Sequence, residues 1–193
     1  MKRDLRKKVI WINDFFLIQK IKNGDPTAWE SLVNKYYDSI FSYCVRRCFG
    51  NRLLAADLTQ DIFLKLVENI HRYRFSGKFY NYLFTIAVNT CHNYTTKKKF
   101  DEQQYEDYLL PSDNKLSVGN ELIDKERNKM IQEALDLLNP LQREAVILKY
   151  YHSFKVKEIA EITGVSVPTA QSRIHQGLKK LRKVLERKEF WDG

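Results

Sequence analysis

The sequence contains few of the residues that interrupt or cross-link a chain: 7 glycines, 4 prolines and 3 cysteines among 193 residues. So few glycines and prolines exclude a low-complexity chain and leave little room for long disorder. An odd number of cysteines without a C-x-x-C pair gives no disulfide framework and indicates reduced thiols inside a cell. A zinc site is the alternative, because Cys44 and Cys48 can share a helix face and His92 follows Cys91, but buried free cysteines are the commoner outcome.

Long apolar runs are also missing. No stretch approaches the roughly 20 apolar residues that a helix needs to span a bilayer. The basic opening MKRDLRKK leads into VIWINDFFLIQKIK, which is amphipathic and interrupted by Asn13, Asp14 and Gln19, unlike the apolar segment of a signal peptide. We therefore expect a cytoplasmic protein.

The sequence lacks the motifs that mark a catalytic site. Its 4 histidines are scattered, and no nucleophile–base motif, phosphate-binding glycine loop or metal-ligand cluster accompanies them. We therefore expect no enzyme activity, cofactor, metal or small-molecule substrate.

Positive charge is what the sequence has in excess. Lys and Arg total 33 against 24 Asp and Glu, which gives a formal net charge of +9. Such a balance favours an anionic partner, either a nucleic acid or a membrane surface.

The spacing of apolar residues, which recur every three or four positions, predicts α-helices over almost all of the chain. Asn23-Gly24 indicates the end of one helix and Asp25-Pro26 the start of the next. The exception is 100–120, FDEQQYEDYLLPSDNKLSVGN, which lacks sustained periodicity and is rich in acids. We predict an all-α fold of two small helical bundles, 1–99 and 121–193, joined by a flexible acidic linker over 100–120.

The stretch VKEIAEITGVSVPTAQSRI predicts a helix-turn-helix in the second bundle. Gly164 allows the left-handed turn between two packed helices, and Ser166 caps the second helix, which has Pro168 in its first turn. The outer face of that helix carries short donors, one arginine and then lysines: Thr169, Ser172, Arg173, Gln176, Lys179, Lys180 and Lys183. Such donors suit base edges in a major groove and the lysines suit phosphates, which favours DNA binding over a merely solvated hairpin.

A helix in the first bundle, AADLTQDIFLKLVENI, has an acidic outer face on this basic protein. The face carries Asp57, Gln60, Asp61 and Glu68. Because carboxylates repel DNA, one interpretation is a docking face for a basic protein partner. The other is a solvated face whose first acids favour the dipole at the helix start.

Downstream, HRYRFSGKFYNYLFTIAVNTCHNYTTKKK interleaves aromatic residues with cations. Rings to stack on and charge for phosphates are what an unpaired nucleic-acid strand needs. Asn89 and Asn93 lie one helical turn apart and can read the edge of an extruded base. The alternative places most of these aromatics in the core, with Tyr82, Phe84 and Ile86 as the best candidates.

Together these segments resemble the extracytoplasmic-function sigma factors of bacterial RNA polymerase, in the sigma-70 superfamily. The resemblance runs from about Asn13 to Leu185 and rests on four motifs in order: NGDPTAWESLVNKYYDSIFSYCVRRCFGN, AADLTQDIFLKLVENI, YNYLFTIAVNTCHNY and LNPLQREAVILKYYHSFKVKEIAEITGVSVPTAQSRIHQGLKKLRKVL. It implies a region-2 domain over 1–99, which docks on core polymerase and holds the minus-ten element. It also implies a region-4 domain over 121–193, which reads the minus-thirty-five element.

The resemblance assigns roles to individual residues. The polymerase-binding positions are Asp57, Gln60, Asp61 and, packing behind them, Phe63. The loop that captures a flipped minus-ten base consists of Phe75, Ser76, Gly77 and Lys78. The base-reading positions that follow it are Asn89 and Asn93. The minus-thirty-five positions are Lys149 at a phosphate, then Gln171, Ser172, Arg173, His175 and Gln176, to which the charge pattern adds Thr169 and Lys179.

The resemblance also implies partners: the β′ and β subunits of core polymerase, promoter DNA, and an anti-sigma factor, often membrane-bound in the family. Tyr82 stands where the family usually has tryptophan, and Gln171 and Gln176 stand where arginines are frequent. Since these are readout positions, the promoter sequence stays open. The alternative function is a stand-alone helix-turn-helix regulator, although no zipper or dimerisation helix is evident.

Overall fold

A computed structural model describes residues 13–76, 78–102 and 121–187, which form 8 α-helices and no strands. The helices are α1 (13–22), α2 (Pro26–Arg47), α3 (Arg52–Asn69), α4 (Phe79–Glu102), α5 (Glu121–Asp136), α6 (Pro140–Tyr150), α7 (Val156–Thr163) and α8 (Val167–Arg187). The predicted all-α fold is confirmed. No helix within these ranges combines the length and apolarity needed to cross a membrane.

Short polar side chains fix the starts of several helices. The Asp25 carboxylate accepts a 2.9 Å hydrogen bond from the Thr27 N–H at the start of α2. Asn51 caps α3 through the Leu54 N–H at 3.0 Å, and Asn139 caps α6. Each cap satisfies a backbone donor that has no partner within its own helix.

Helices α1–α4 form the N-terminal bundle. Its interior is aliphatic and aromatic, with fully buried side chains from every helix: Ile18, Leu32, Ile40, Ile62, Leu66, Leu83 and Phe84. Of the three predicted core residues in α4, Phe84 is fully buried, whereas Tyr82 and Ile86 only border the core. The helix α4 continues to Glu102 and so includes the first three residues of the predicted linker over 100–120. The remainder of the predicted linker, 103–120, lies outside the described residues.

Helices α5–α8 form the C-terminal bundle, in which α7 and α8 are the predicted helix-turn-helix. Gly164 between them has a φ of +65°, a left-handed conformation that favours glycine. The Ser166 hydroxyl accepts a 3.2 Å hydrogen bond from the Thr169 N–H, as predicted for a cap. Ile159 and Ala170 are fully buried where the two helices meet.

The two bundles are docked on each other and share one hydrophobic core. The Tyr80 ring of α4 stacks on Phe154 of the C-terminal bundle with centroids 5.0 Å apart. Glu144 of α6 lies 3.5 Å from Arg47 and 3.3 Å from the Tyr43 hydroxyl, and all three side chains are buried. This docking could not be read from local sequence patterns, because it joins residues about a hundred positions apart.

Candidate nucleic-acid and protein interfaces

The outer face of α3 is exposed and carries both acidic and apolar side chains. Asp57, Gln60 and Asp61 are all solvent-exposed, whereas Phe63 is buried and its ring stacks on that of Tyr37. The same face carries exposed apolar side chains that the sequence analysis did not single out: Leu53, Leu64 and Val67. Leu53 is 80% exposed and Leu64 is 60% exposed, so this face presents apolar area beside its carboxylates. Apolar groups ringed by charge are typical of a protein-binding surface.

The predicted base-capture loop joins α3 to α4. Ser76 and Lys78 are exposed, Phe75 is half-buried, and Gly77 lies outside the described residues. The Phe75 ring lies edge-on to Tyr73, which is itself buried and stacked on Tyr82 with centroids 4.3 Å apart. The loop is therefore built on an aromatic base that fixes its position.

Lys78 of this loop is held by the C-terminal bundle. Its ammonium donates a 2.9 Å hydrogen bond to the Glu161 carboxylate of α7. That hydrogen bond raises the pKa of Lys78 above its ordinary value. Both side chains are about half-exposed, so solvent screens the pair and it contributes little to stability.

Asn89 and Asn93 are exposed one turn apart on α4, as their spacing predicted. Asn93 lines a shallow groove between α3 and α4 together with Asp61, Lys65 and Thr90. The Lys65 ammonium donates to the Thr90 hydroxyl at 3.1 Å and joins the two helices there. The structure thus places a proposed protein-binding residue and a proposed base-reading residue on neighbouring parts of one surface.

The outer side of α8 presents the predicted readout residues. Exposed or half-exposed side chains occupy every one of these positions: Thr169, Gln171, Ser172, Arg173, His175, Gln176 and Lys179. Gln171, Ser172 and His175 border a shallow depression. On the adjacent side, the Gln176 amide donates to the Ser172 hydroxyl at 3.0 Å and accepts from Gln142 of α6 at 3.1 Å. These bonds hold the Gln176 side chain in place, while the half-buried Lys149 lies on α6.

The cysteines lie in the core of the N-terminal bundle. Cys44, Cys48 and Cys91 are free and buried, and the thiols of Cys44 and Cys91 share a hydrogen bond. That hydrogen bond and burial raise the pKa of the Cys91 thiol well above its ordinary value. His92 is exposed, on a different side of α4 from Cys91. The adjacent Cys91-His92 pair therefore does not converge on one point, as a shared zinc ligand set requires.

Comparison with known proteins identifies the family. A profile described as Sigma-70 region 2 matches residues 32–100, and one described as Sigma-70, region 4 matches residues 128–181. The ECF RNA polymerase sigma factor SigW of Bacillus subtilis (strain 168) is 31% identical over 184 residues, which cover 87% of this chain and 94% of that protein. The chain belongs to the extracytoplasmic-function (ECF) sigma factors.

Other sigma factors are similar to this ECF sigma factor over most of its length. The ECF RNA polymerase sigma-E factor of Haemophilus influenzae is 28% identical over an alignment of 187 residues, and the match covers 92% of this chain and 95% of that protein. The sigma factor RpoE of Bartonella quintana, solved in complex with the anti-sigma factor NepR, matches with a TM-score of 0.70, 21% identity, and coverage of 81% of this chain and 96% of RpoE. The fold is thus that of a sigma factor, and the matched ranges fall on the two bundles.

Proposed function

We propose that this ECF sigma factor binds core RNA polymerase through its β′ and β subunits and directs initiation at specific promoters. It recognises minus-thirty-five duplex with the C-terminal bundle and melted minus-ten DNA with the N-terminal bundle. It acts as a specificity subunit in the cytoplasm and not as an enzyme.

The outer face of α3 is the proposed polymerase-docking surface. Asp57, Gln60 and Asp61 supply charge and hydrogen bonds, and burial of Leu53 and Leu64 supplies the apolar part of the binding free energy. Phe63 acts indirectly, because its buried ring supports the helix from behind.

The capture loop and α4 form the proposed minus-ten surface. Phe75, Ser76, Gly77 and Lys78 receive a base extruded from the strand. Asn89 and Asn93 follow on an exposed face of α4, where an amide can bond to two atoms of a base edge. Lys78 is available to DNA only when it leaves Glu161.

The α8 face is the proposed minus-thirty-five surface. The proposed contacts to base edges in the major groove come from the N-terminal half of the helix: Thr169, Gln171, Ser172, Arg173, His175 and Gln176. Lys179 on the next turn and Lys149 on α6 neutralise phosphates. Gln176 is already oriented by Gln142 before DNA arrives, which reduces the entropy lost on binding.

We infer that an anti-sigma factor also binds this chain. The inference is supported by the solved complexes of similar fold, RpoE with NepR and CnrH with the cytosolic domain of CnrY. The places it would occupy are the α3 face or the junction between the bundles. The acidic linker over 100–120 remains a prediction.

The observation that carries the proposal is the exposed carboxylate pair of α3 beside exposed leucines on a protein of net charge +9. The double variant Asp57→Lys/Asp61→Lys should no longer co-purify with core polymerase, because both reversed charges then repel a basic partner. The matched control is Glu30→Lys/Asp38→Lys, which changes the net charge equally at exposed sites on α2 and should bind normally.

Circular dichroism should show the same helix content for both double variants. Co-purification of the Asp57→Lys/Asp61→Lys chain at the wild-type level would refute the docking assignment. Gel shifts with and without core polymerase separate the proposal from its alternative, since a stand-alone regulator binds its DNA equally well in both cases.

A further inference from the structure

Phe15 of α1 lies against the base-capture loop, and Phe16 lies against Phe15. The Phe15 ring meets the Phe75 ring edge-on, with centroids 5.3 Å apart, and meets the Phe16 ring edge-on at 5.7 Å. Phe15 is 38% exposed and Phe16 is 59% exposed, so both rings keep a large area in contact with water. Both residues lie in the segment that the sequence showed to be amphipathic, and neither had a predicted role.

The position of these rings is fixed by the rest of α1. Ile18 and Ile21 on the opposite side of the helix are buried in the core. Asp14 is buried and accepts a 2.7 Å hydrogen bond from the Tyr36 hydroxyl of α2. The Lys22 ammonium donates a 2.6 Å hydrogen bond to the Tyr73 carbonyl, which ties the end of α1 to the loop itself.

The exposed rings continue an aromatic series that runs through the loop. From the surface inwards, the series consists of Phe16, Phe15, Phe75, Tyr73 and Tyr82, each ring in contact with the next. The inner two rings are packed on each other, whereas the outer two face solvent. A contiguous apolar surface of this kind, which none of the described helices covers, is typical of a binding site.

The charge around this surface is positive. Lys20 on α1 and Arg72 and Arg74 before the loop are all exposed, whereas Lys78 is paired with Glu161 of α7. The nearest acid of α1, Asp14, is buried and paired with Lys35, so it does not oppose an anion. Aromatic faces flanked by cations bind unpaired nucleic acid, because bases stack on the rings while phosphates meet the charges.

We propose that Phe15 and Phe16 form a stacking shelf for a second unpaired base of the melted minus-ten strand. The shelf lies beside the loop that captures the first base and is continuous with it. A nucleic-acid strand fits better than an apolar protein segment, because its phosphates can meet the exposed Lys20, Arg72 and Arg74 while a base stacks on the rings. This inference rests on the proposed function, since it needs a melted strand at the loop.

The test uses the full chain bound to core polymerase and a forked promoter fragment whose minus-ten segment is single-stranded. The promoter is one that the wild-type chain selects in run-off transcription. Phe16→Ala and Phe16→Leu remove the aromatic face, whereas Phe16→Tyr retains it and serves as the matched control. We expect about 10-fold weaker binding of the fork for the first two variants and binding within about two-fold of wild type for Phe16→Tyr.

A second readout locates the base. 2-Aminopurine is placed at successive positions of the single strand, and its fluorescence is quenched where it stacks. A position next to the captured base should stay quenched with wild type and Phe16→Tyr, and brighten with Phe16→Ala and Phe16→Leu. Phe15→Ala should brighten the same position.

Three outcomes would overturn the shelf. Wild-type affinity of Phe16→Ala and Phe16→Leu for the fork would show that the rings do not stack on DNA. Loss of core-polymerase binding in those variants would make the surface a protein contact instead. Absence of any transcript with the wild-type chain would contradict the proposed function itself, and with it the shelf. The transcription assay therefore distinguishes failure of the proposed function from failure of the shelf alone.

Discussion

His152 lies where the two bundles meet, with its ring centroid 4.6 Å from that of Phe84 and 5.9 Å from that of Tyr43. Its Nδ1 is 3.4 Å from the Tyr80 hydroxyl. Burial, with a smaller effect of nearby Arg46, lowers the pKa of His152 to about 4. The imidazole is therefore neutral in the folded protein at neutral pH and packs as an aromatic ring.

We predict that His152 makes the fold sensitive to mild acid. A histidine in the unfolded chain has a pKa of about 6.5, so protons bind the unfolded chain more tightly than the folded one. The stabilisation is complete above that pH and is lost as the pH falls towards 4. Between pH 7.5 and pH 5 the free energy of unfolding should drop by about 2 kcal/mol on this account.

Urea unfolding of the wild type and of His152→Gln at both pH values measures this contribution. The variant should lose less stability than the wild type over the same interval, because its amide does not titrate. An equal loss in the two proteins would show that other groups cause the acid sensitivity.

Single residues differ in how well the sequence revealed them. Asp57 and Asp61 were predicted to lie on the outer face of α3 because of their charge and spacing, and both are exposed, while their docking role stays a prediction. Leu64 was missed although it follows Asp61 by one helical turn, because an apolar residue in a helix is first assigned to the core. Phe16 was missed for the same reason: exposure depends on which helices cover the residue, and local sequence does not specify that.

At the scale of elements, Gly177 sets the distance between α6 and α8. A Cβ at this position would lie 2.8 Å from the Val146 Cγ2 of α6, which is closer than carbon atoms can approach. Valine has few alternative rotamers in a helix, so its side chain cannot easily move aside. The close packing also brings Gln142 of α6 within hydrogen-bonding distance of Gln176.

We predict that Gly177→Ala destabilises the protein by about 1–2 kcal/mol, even though alanine favours helices over glycine by about 1 kcal/mol. The steric conflict should outweigh helix propensity. A double-mutant cycle with Val146→Ala, which removes the opposing methyl groups, tests this conflict. The double variant should lose less free energy of unfolding than the sum of the two single variants, by about 1 kcal/mol or more.

Thermal or urea unfolding of the four proteins supplies the cycle. Additive effects would mean that Val146 does not limit the space at Gly177. A Gly177→Ala chain more stable than wild type would mean that α6 and α8 separate without cost.

Helix boundaries were easier to predict from the sequence than the packing between distant helices. Asp25-Pro26 predicted the start of α2 because capping involves residues only two positions apart. The turn at Gly164 was predictable because a left-handed φ favours one residue type. The stacking of Tyr80 on Phe154 joins elements far apart in sequence, and no local pattern indicates such a pair.

For the whole molecule, the proposed assignment of the capture loop and α8 means that the docked bundles cannot engage both promoter elements. The minus-thirty-five and minus-ten promoter elements are centred about 25 base pairs apart. At 3.4 Å per base pair, about 85 Å of straight duplex separates them. In the structure, Lys78 of the capture loop is 2.9 Å from Glu161 of the helix-turn-helix. On the proposed assignment the bundles must therefore separate when both promoter elements are bound, and core polymerase is the proposed partner that holds them apart.

We predict that the buried pair between the bundles matters for folding far more than a surface pair does. Glu144→Ala should cost about 3 kcal/mol, because it leaves the buried Arg47 guanidinium without its carboxylate. The control Glu186→Ala removes the exposed partner of Arg182 and should change stability by less than about 1 kcal/mol. Urea unfolding measures both, and similar losses would show that Glu144 does not compensate Arg47.

Run-off transcription measures whether this sigma factor makes core polymerase start RNA chains at specific promoters. Purified core polymerase is given a library of fragments from the source genome, with the wild-type chain, with Asp57→Lys/Asp61→Lys, or with no addition. The account predicts discrete transcripts from a defined set of promoters with the wild type alone, and background with the variant. Wild-type reactions indistinguishable from core polymerase alone would contradict it.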